Sequence, residues 1–165
     1  MARQSFFTKD RAVYWPAQFA PFVNFLKGQD ENGKPNMPAL YSYNTGAMIL
    51  AASVGVVHQR KREVGADGKE IMTSTFASQG LETYLFLLPL LGRADAGVDM
   101  LRPEHEDELL REFERYAAGG FEVLQGMFDA SAGKSSEVIL QQEMLKAMRT
   151  VQDQGSDELP NLFSF

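Results

Sequence analysis

Hydrophobic and polar positions alternate along this chain with a helical period over most of its length. Phe19, Phe22 and Phe25 recur near that period, so residues 17–27 are predicted as a short helix with Pro16 suited to its first turn. Residues 28–38 hold two Gly, two Pro and two Asn and read as a loop. A second helix is predicted over 45–57, with Ser42 or Asn44 as its cap. Its Ala47, Ala51 and Gly55 lie four apart and form a small-residue stripe that lets another backbone approach closely.

The period then changes. Residues 62–64 and 70–75 flank Gly65-Ala66-Asp67-Gly68-Lys69, and Asp-Gly between β-prone runs signals a hairpin. A helix over 78–91 follows, apolar nearly all round, with Pro89 bending or ending it; such a helix is buried or lies in an interface. Residues 92–101 read as a linker. Pro103 opens a helix to Ala118 with Leu109, Leu110, Phe113, Tyr116 and Ala117 on its inner stripe, and Gly119-Gly120 is expected to break it. Further helices are predicted over 121–130 and from a Ser135 or Ser136 cap to Val151, the last with Leu140, Met144, Met148 and Val151 inside.

These elements predict a mainly α fold, a compact bundle of five or six helices with one inserted β-hairpin near residues 60–76. One helical domain is expected over 1–151. Residues 152–165 form an acidic, aromatic C-terminal tail.

Composition narrows the chemistry. The chain has 165 residues and no cysteine, is 44% hydrophobic and 23% charged, and carries a formal charge of −6. A length near that of one domain and an ordinary apolar fraction fit a globular protein. The missing cysteines exclude a disulfide scaffold, a thiolate nucleophile and Cys-ligated metal. Residues 1–10 lack the apolar run of a signal peptide, and no stretch has the ~20 apolar residues needed to span a bilayer. A cytoplasmic protein without membrane contact is expected. The charge is uneven: residues 95–129 hold ten acids and three arginines, net −7, which leaves the remainder at +1.

Candidate motifs are few. Gly133-Lys134-Ser135 resembles the end of a phosphate-binding loop. Phe128 stands where that loop needs glycine, and a helix precedes it, so a plain turn is the better reading. Asp67-Gly68-Lys69 has the Asp-x-Lys spacing of some metal-dependent nucleases, but Asp-Gly also simply makes turns. His58 and His105 fall in different elements, and no metal site or cofactor is expected. Arg60, Lys61 and Arg62, with Lys69, form the basic group that could contact DNA phosphates; the plainer reading is a solvated hairpin edge. In the tail, Leu159, Leu162, Phe163 and Phe165 combine with acids as partner-docking peptides do, and equally as tails that fold back.

Three stretches together resemble a known family. They are Ala47-Met48-Ile49-Leu50-Ala51-Ala52-Ser53-Val54-Gly55 with the following Arg60-Lys61-Arg62 and Val64; residues 71–76; and Phe113-Glu114-Arg115-Tyr116-Ala117-Ala118-Gly119-Gly120-Phe121-Glu122-Val123-Leu124. In this order they resemble the small bacterial family called DNA phosphorothioation-associated (Dnd-system-associated) protein four. Phe121 replaces the usual Leu, and Ala118 the usual Asn. The resemblance implies a role in bacterial anti-phage defence, beside systems that place sulfur in the DNA backbone or restrict DNA lacking it. It implies no catalytic residues. Ala117, Gly119 and Gly120 carry over as a structural corner, where Ala permits close packing and the glycines let the chain turn.

The resulting expectation is a non-enzymatic accessory subunit of a DNA modification or restriction complex, acting through contacts with other subunits and open to homo-oligomerisation. The alternative is a DNA-contacting module using the basic hairpin, and the third reading is a metal-dependent nuclease at Asp67 and Lys69.

Overall fold

The computed structural model describes residues 5–30 and 32–156. The fold is mainly α with one two-stranded antiparallel sheet. In chain order it comprises β1 (Ala12–Trp15), a 3-10 turn (Ala17–Phe19), α1 (Ala20–Leu26), α2 (Asn44–Val57) and β2 (Lys69–Met72). Then come α3 (Thr73–Ser78), α4 (Tyr84–Leu91), two 3-10 turns (Val98–Leu101 and Pro103–His105), α5 (Glu106–Ala130) and α6 (Ser136–Ser156). The chain divides into two compact units, Met1–Gly126 and Met127–Phe165.

The sheet is not the expected local hairpin. β2 pairs with β1, Ala12 opposite Met72 and Trp15 opposite Lys69. Residues 62–64 form no strand; the Arg62 N–H instead donates to the Arg115 carbonyl on α5. Strand pairing far apart in sequence depends on burial, and β1 supplies it: Val13 and Trp15 are buried while Tyr14 faces out.

The returning strand is also shorter than expected, because residues 73–78 turn into a helix. The Asp10 carboxylate accepts the Ser74 N–H at 2.9 Å and the hydroxyls of Thr73 and Ser74, satisfying donors at the first turn of α3. Gly80, at φ 72°, lies in the turn between α3 and α4, so the apolar helix expected over 78–91 is shortened to Tyr84–Leu91, with Ser78 already the end of α3. Neither Ser42 nor Asn44 caps α2; the cap position is Tyr43, with no side-chain bond. Ser135 does cap α6, its hydroxyl accepting the Val138 N–H.

The largest correction concerns α5. Gly119 and Gly120 do not break it; the helix runs through both to Ala130. They are the crossing point with the small-residue stripe of α2. A Cβ on Gly120 would overlap the Ala51 carbonyl, one on Gly55 would overlap the Tyr116 carbonyl, and one on Gly119 would strike the Arg60 carbonyl. Mid-helix glycine costs about 1 kcal/mol of intrinsic stability relative to Ala. The close packing it permits brings Ala47, Ala51, Ala117 and Ala118 to complete burial. Ala117, Gly119 and Gly120 are thus a docking lane, not a corner. Around it, Phe121 packs against Trp15 (ring centroids 6.0 Å) and Phe19 (5.4 Å), and Phe76 meets Phe113 edge-on.

Candidate functional site

The basic triplet lies in the segment that leaves α2 and crosses α5. Gln59, at φ 50°, turns the chain out of α2, and its side-chain amide donates to the Val56 carbonyl. The next three residues lie along the Gly119 face of the long helix, where its carboxylates meet them. Arg60 donates to Glu122 through Nε and Nη2 at 3.1 and 3.0 Å. Arg62 lies 3.6 Å from the other Glu122 oxygen and 5.9 Å from the Phe19 ring. Lys61 bonds Glu112 and sits 4.7 Å over the Tyr116 ring. Lys69 is apart from them, its ammonium 5.9 Å from the Trp15 ring.

Glu112 is the centre of this arrangement. Its side chain is 12% exposed and also accepts from Arg115, which in turn reaches Glu63 at 2.7 Å. Burial pushes the Glu112 carboxyl up, but the bonds from Lys61 and Arg115 outweigh it and hold it below its ordinary value. The bond to Glu112 raises the Lys61 ammonium correspondingly. Glu114, on the same helix, moves the other way: burial raises it against the Tyr14 N–H that it accepts at 2.8 Å.

The acidic run behaves likewise. Asp95 and Glu108 hold Arg93, Asp99 and Glu104 hold Arg102, and Glu106 and Asp107 hold Arg11. With Glu112, Glu114 and Glu122, nine of the ten acids counted over residues 95–129 have a basic or N–H partner. The segment is acidic in sequence but is fastened in the fold by five cations from outside it: Arg11, Arg60, Lys61, Arg62 and Arg93.

Apolar surface is more plentiful than the sequence suggested. α4 buries Leu85, Leu88 and Pro89 but exposes Tyr84, Leu87 and Leu91, the last at 66%. Leu101 and Phe6 are exposed too, and Phe6 meets the Phe86 ring of α4 edge-on at 5.4 Å. Phe6, Phe7, Phe86, Leu101, Arg102, Glu106 and Leu109 line a cavity of about 160 Å³. In α6 the expected inner stripe is exposed at Met144 and Met148, and Leu140 is half-buried; the Val151 side chain lies outside the described residues. Sequence periodicity marked that face as apolar but could not say whether anything covers it.

Asp67 and Gly68 lie in a turn closed by the Gly68 N–H on the Gly65 carbonyl, and Lys69 is the first residue of β2. Among the described residues no group of three or more His, Asp or Glu is placed to hold a metal ion. Gly133, at φ 91°, makes a turn between α5 and α6. Leu159, Leu162, Phe163 and Phe165 lie outside the described residues. No described helix is long and apolar enough to cross a membrane.

The sequence signature of the family described as DNA sulphur modification system-associated protein 4 matches residues 15–162 of the chain. The chain belongs to this family. Its match takes in the Ala51–Gly55 and Tyr116–Gly120 crossing and the basic triplet fastened beside it. No curated protein matches the chain, and no solved structure does. Membership ties the protein to a DNA sulphur modification system as an associated component.

Proposed function

We propose that this protein is a non-catalytic subunit of a bacterial anti-phage system linked to DNA phosphorothioation, acting in the cytoplasm through contacts with the system's other proteins. The observation that carries the reading is the exposed apolar row Tyr84, Leu87 and Leu91 on α4. Apolar side chains aligned on one exposed helix face mark protein contacts more often than chemistry. The family's link to a DNA sulphur modification system supplies the candidate partners. The basic triplet and Arg115 support the same reading: they are engaged by Glu122, Glu112 and Glu63 in ion pairs that fasten the chain to itself.

The arrangement favours direct DNA contact at Arg60, Lys61, Arg62 and Lys69 less. Phosphate would have to displace Glu122 and Glu112 from the triplet, and three charges give modest affinity at physiological salt. A restriction role beside the modification system belongs to the same proposal, with catalysis left to other subunits.

The test is co-purification from the native host with mass spectrometry, for the natural chain and for a Leu87→Asp, Leu91→Asp variant. The natural chain is expected to retain proteins of the modification system and the variant to lose them while keeping its helical spectrum. A monomer by light scattering that retains none of them overturns the reading.

A further inference from the structure

The first described residues form a strap across α4 and α5, and its attachments are unusual in kind. Between Ser5 and Asp10 only Phe7 is buried. Asp10 fixes its far end to Thr73 and Ser74 of α3, and before that point the strap is otherwise held by two carboxylates of the body. Glu82, just before α4, accepts the Ser5 hydroxyl and the Phe6 N–H. Glu106, at the start of α5, accepts both the Thr8 N–H at 3.0 Å and the Thr8 hydroxyl at 2.9 Å. These two carboxylates are 6% and 7% exposed, although charged groups are rarely buried unless paired. Glu106 has a further partner in Arg11, whereas the Ser5 and Phe6 donors that Glu82 accepts both belong to the strap. Between the carboxylates, Phe6 and Phe7 lie against Phe86, and with Phe86 and Leu109 they wall the 160 Å³ cavity.

We propose that residues 5–9 are a removable cover hinged at Asp10, and that the groove beneath takes an extended segment of a partner protein with the strap's own chemistry. That chemistry is an aromatic side chain flanked by backbone N–H and hydroxyl donors. Two features of the groove select it. The α4–α5 surface at Phe86 and Leu109 receives the ring. Glu82 and Glu106 accept hydrogen bonds on either side of it and repel an acidic segment.

A segment with one buried side chain opens locally at far lower free energy than the packed helices beneath it. While closed, it lowers the apparent affinity of any competitor by the fraction of molecules that are open. The inference rests on the protein-contact reading only for the origin of the incoming segment; the cover itself rests on the bonds just described.

Purified full-length protein tests it without any partner. The probe is a fluorescent synthetic peptide of the strap's sequence, Ser-Phe-Phe-Thr-Lys with an amidated end, with a version carrying Ala for both Phe as control. Phe7→Ala in the protein weakens the cover, and the peptide is expected to bind this variant about tenfold tighter than the natural chain. Adding Glu82→Ala, which removes the acceptor that the Ser5 and Phe6 donors use, should remove most of that gain. Hydrogen exchange should show the Phe6 and Thr8 amides opening well before those of α5, in both proteins. Peptide that binds neither protein, or binds equally with and without its Phe side chains, overturns the proposal. So does exchange in which the strap opens only together with α5, because the strap is then part of the global fold. Failure of co-purification alone would count against the protein-contact reading and leave these outcomes unchanged.

Discussion

Gly120 of α5 and Ala51 of α2 meet so closely that a Cβ on the glycine would overlap the alanine carbonyl. The obstacle is backbone, which cannot rotate away as a side chain can. Gly120→Ala is therefore expected to destabilise the protein by about 1–3 kcal/mol or more, the usual cost of overpacking. Gly126→Ala, six residues along the same helix and facing open space, should instead stabilise it by up to about 1 kcal/mol. Urea unfolding of the two variants checks both signs.

Glu112 and Glu114 should respond oppositely to pH. The lowered Glu112 carboxyl contributes stability that is present above the ordinary carboxylate value and lost as pH falls through its lowered one. The raised Glu114 carboxyl disfavours the folded state at neutral pH, and that cost disappears as pH falls below its raised value. Glu112→Gln is expected to cost about 1–2 kcal/mol at pH 7, a charged hydrogen bond discounted for the partial exposure of Lys61. Glu114→Gln should leave stability at pH 7 unchanged or higher, since an amide oxygen still accepts the Tyr14 N–H. Denaturation at pH 7 and pH 4 separates the two: the Glu112 variant loses less on acidification than the natural chain, and the Glu114 variant loses more.

Replacing Arg60, Lys61 and Arg62 with Ala should be felt in stability before DNA. The triplet fastens residues 60–62 to α5 through Glu112 and Glu122, so the variant is expected to melt lower. Fluorescence anisotropy with duplex DNA at about 0.15 M salt should show no specific binding by either protein. Tight binding by the natural chain that the variant loses, with a smaller salt slope, would establish the DNA-contacting alternative.

Asp10→Ala should lower the melting temperature by removing acceptors from the start of α3. Hydrogen bonds from Ser74 and Thr73 hold its carboxyl below the ordinary value, so its contribution is present at neutral pH and fades as pH falls through that lowered value. The melting points of the natural chain and the variant should accordingly converge in acid, which a pH series of melts would show.

The sequence carried the helices whose signals are local. The periodic Phe19, Phe22 and Phe25, the Ala47–Gly55 stripe, the acidic opening of α5 and the Ser135 cap each depend on residues within a turn or two. It also marked the close approach at Gly55, although not its partner. What it misjudged depends on distant atoms. Gly119-Gly120 reads as a break when considered alone, because glycine weakens a helix; in the fold α2 lies against Gly120 and the Arg60 backbone against Gly119, and the helix continues. Residues 70–75 read as one strand until Asp10 supplies an acceptor for the donors of Thr73 and Ser74.

Charge shows the division most plainly. Composition determined that residues 95–129 are acidic and that Arg60, Lys61 and Arg62 are basic, and the second fact suggested DNA phosphates as partners. Only the tertiary structure decided that the triplet's partners are two of those acids, Glu112 and Glu122. Coulomb attraction depends on separation in space, and the crossing of α2 and α5 brings residues 60–62 onto Glu112 and Glu122.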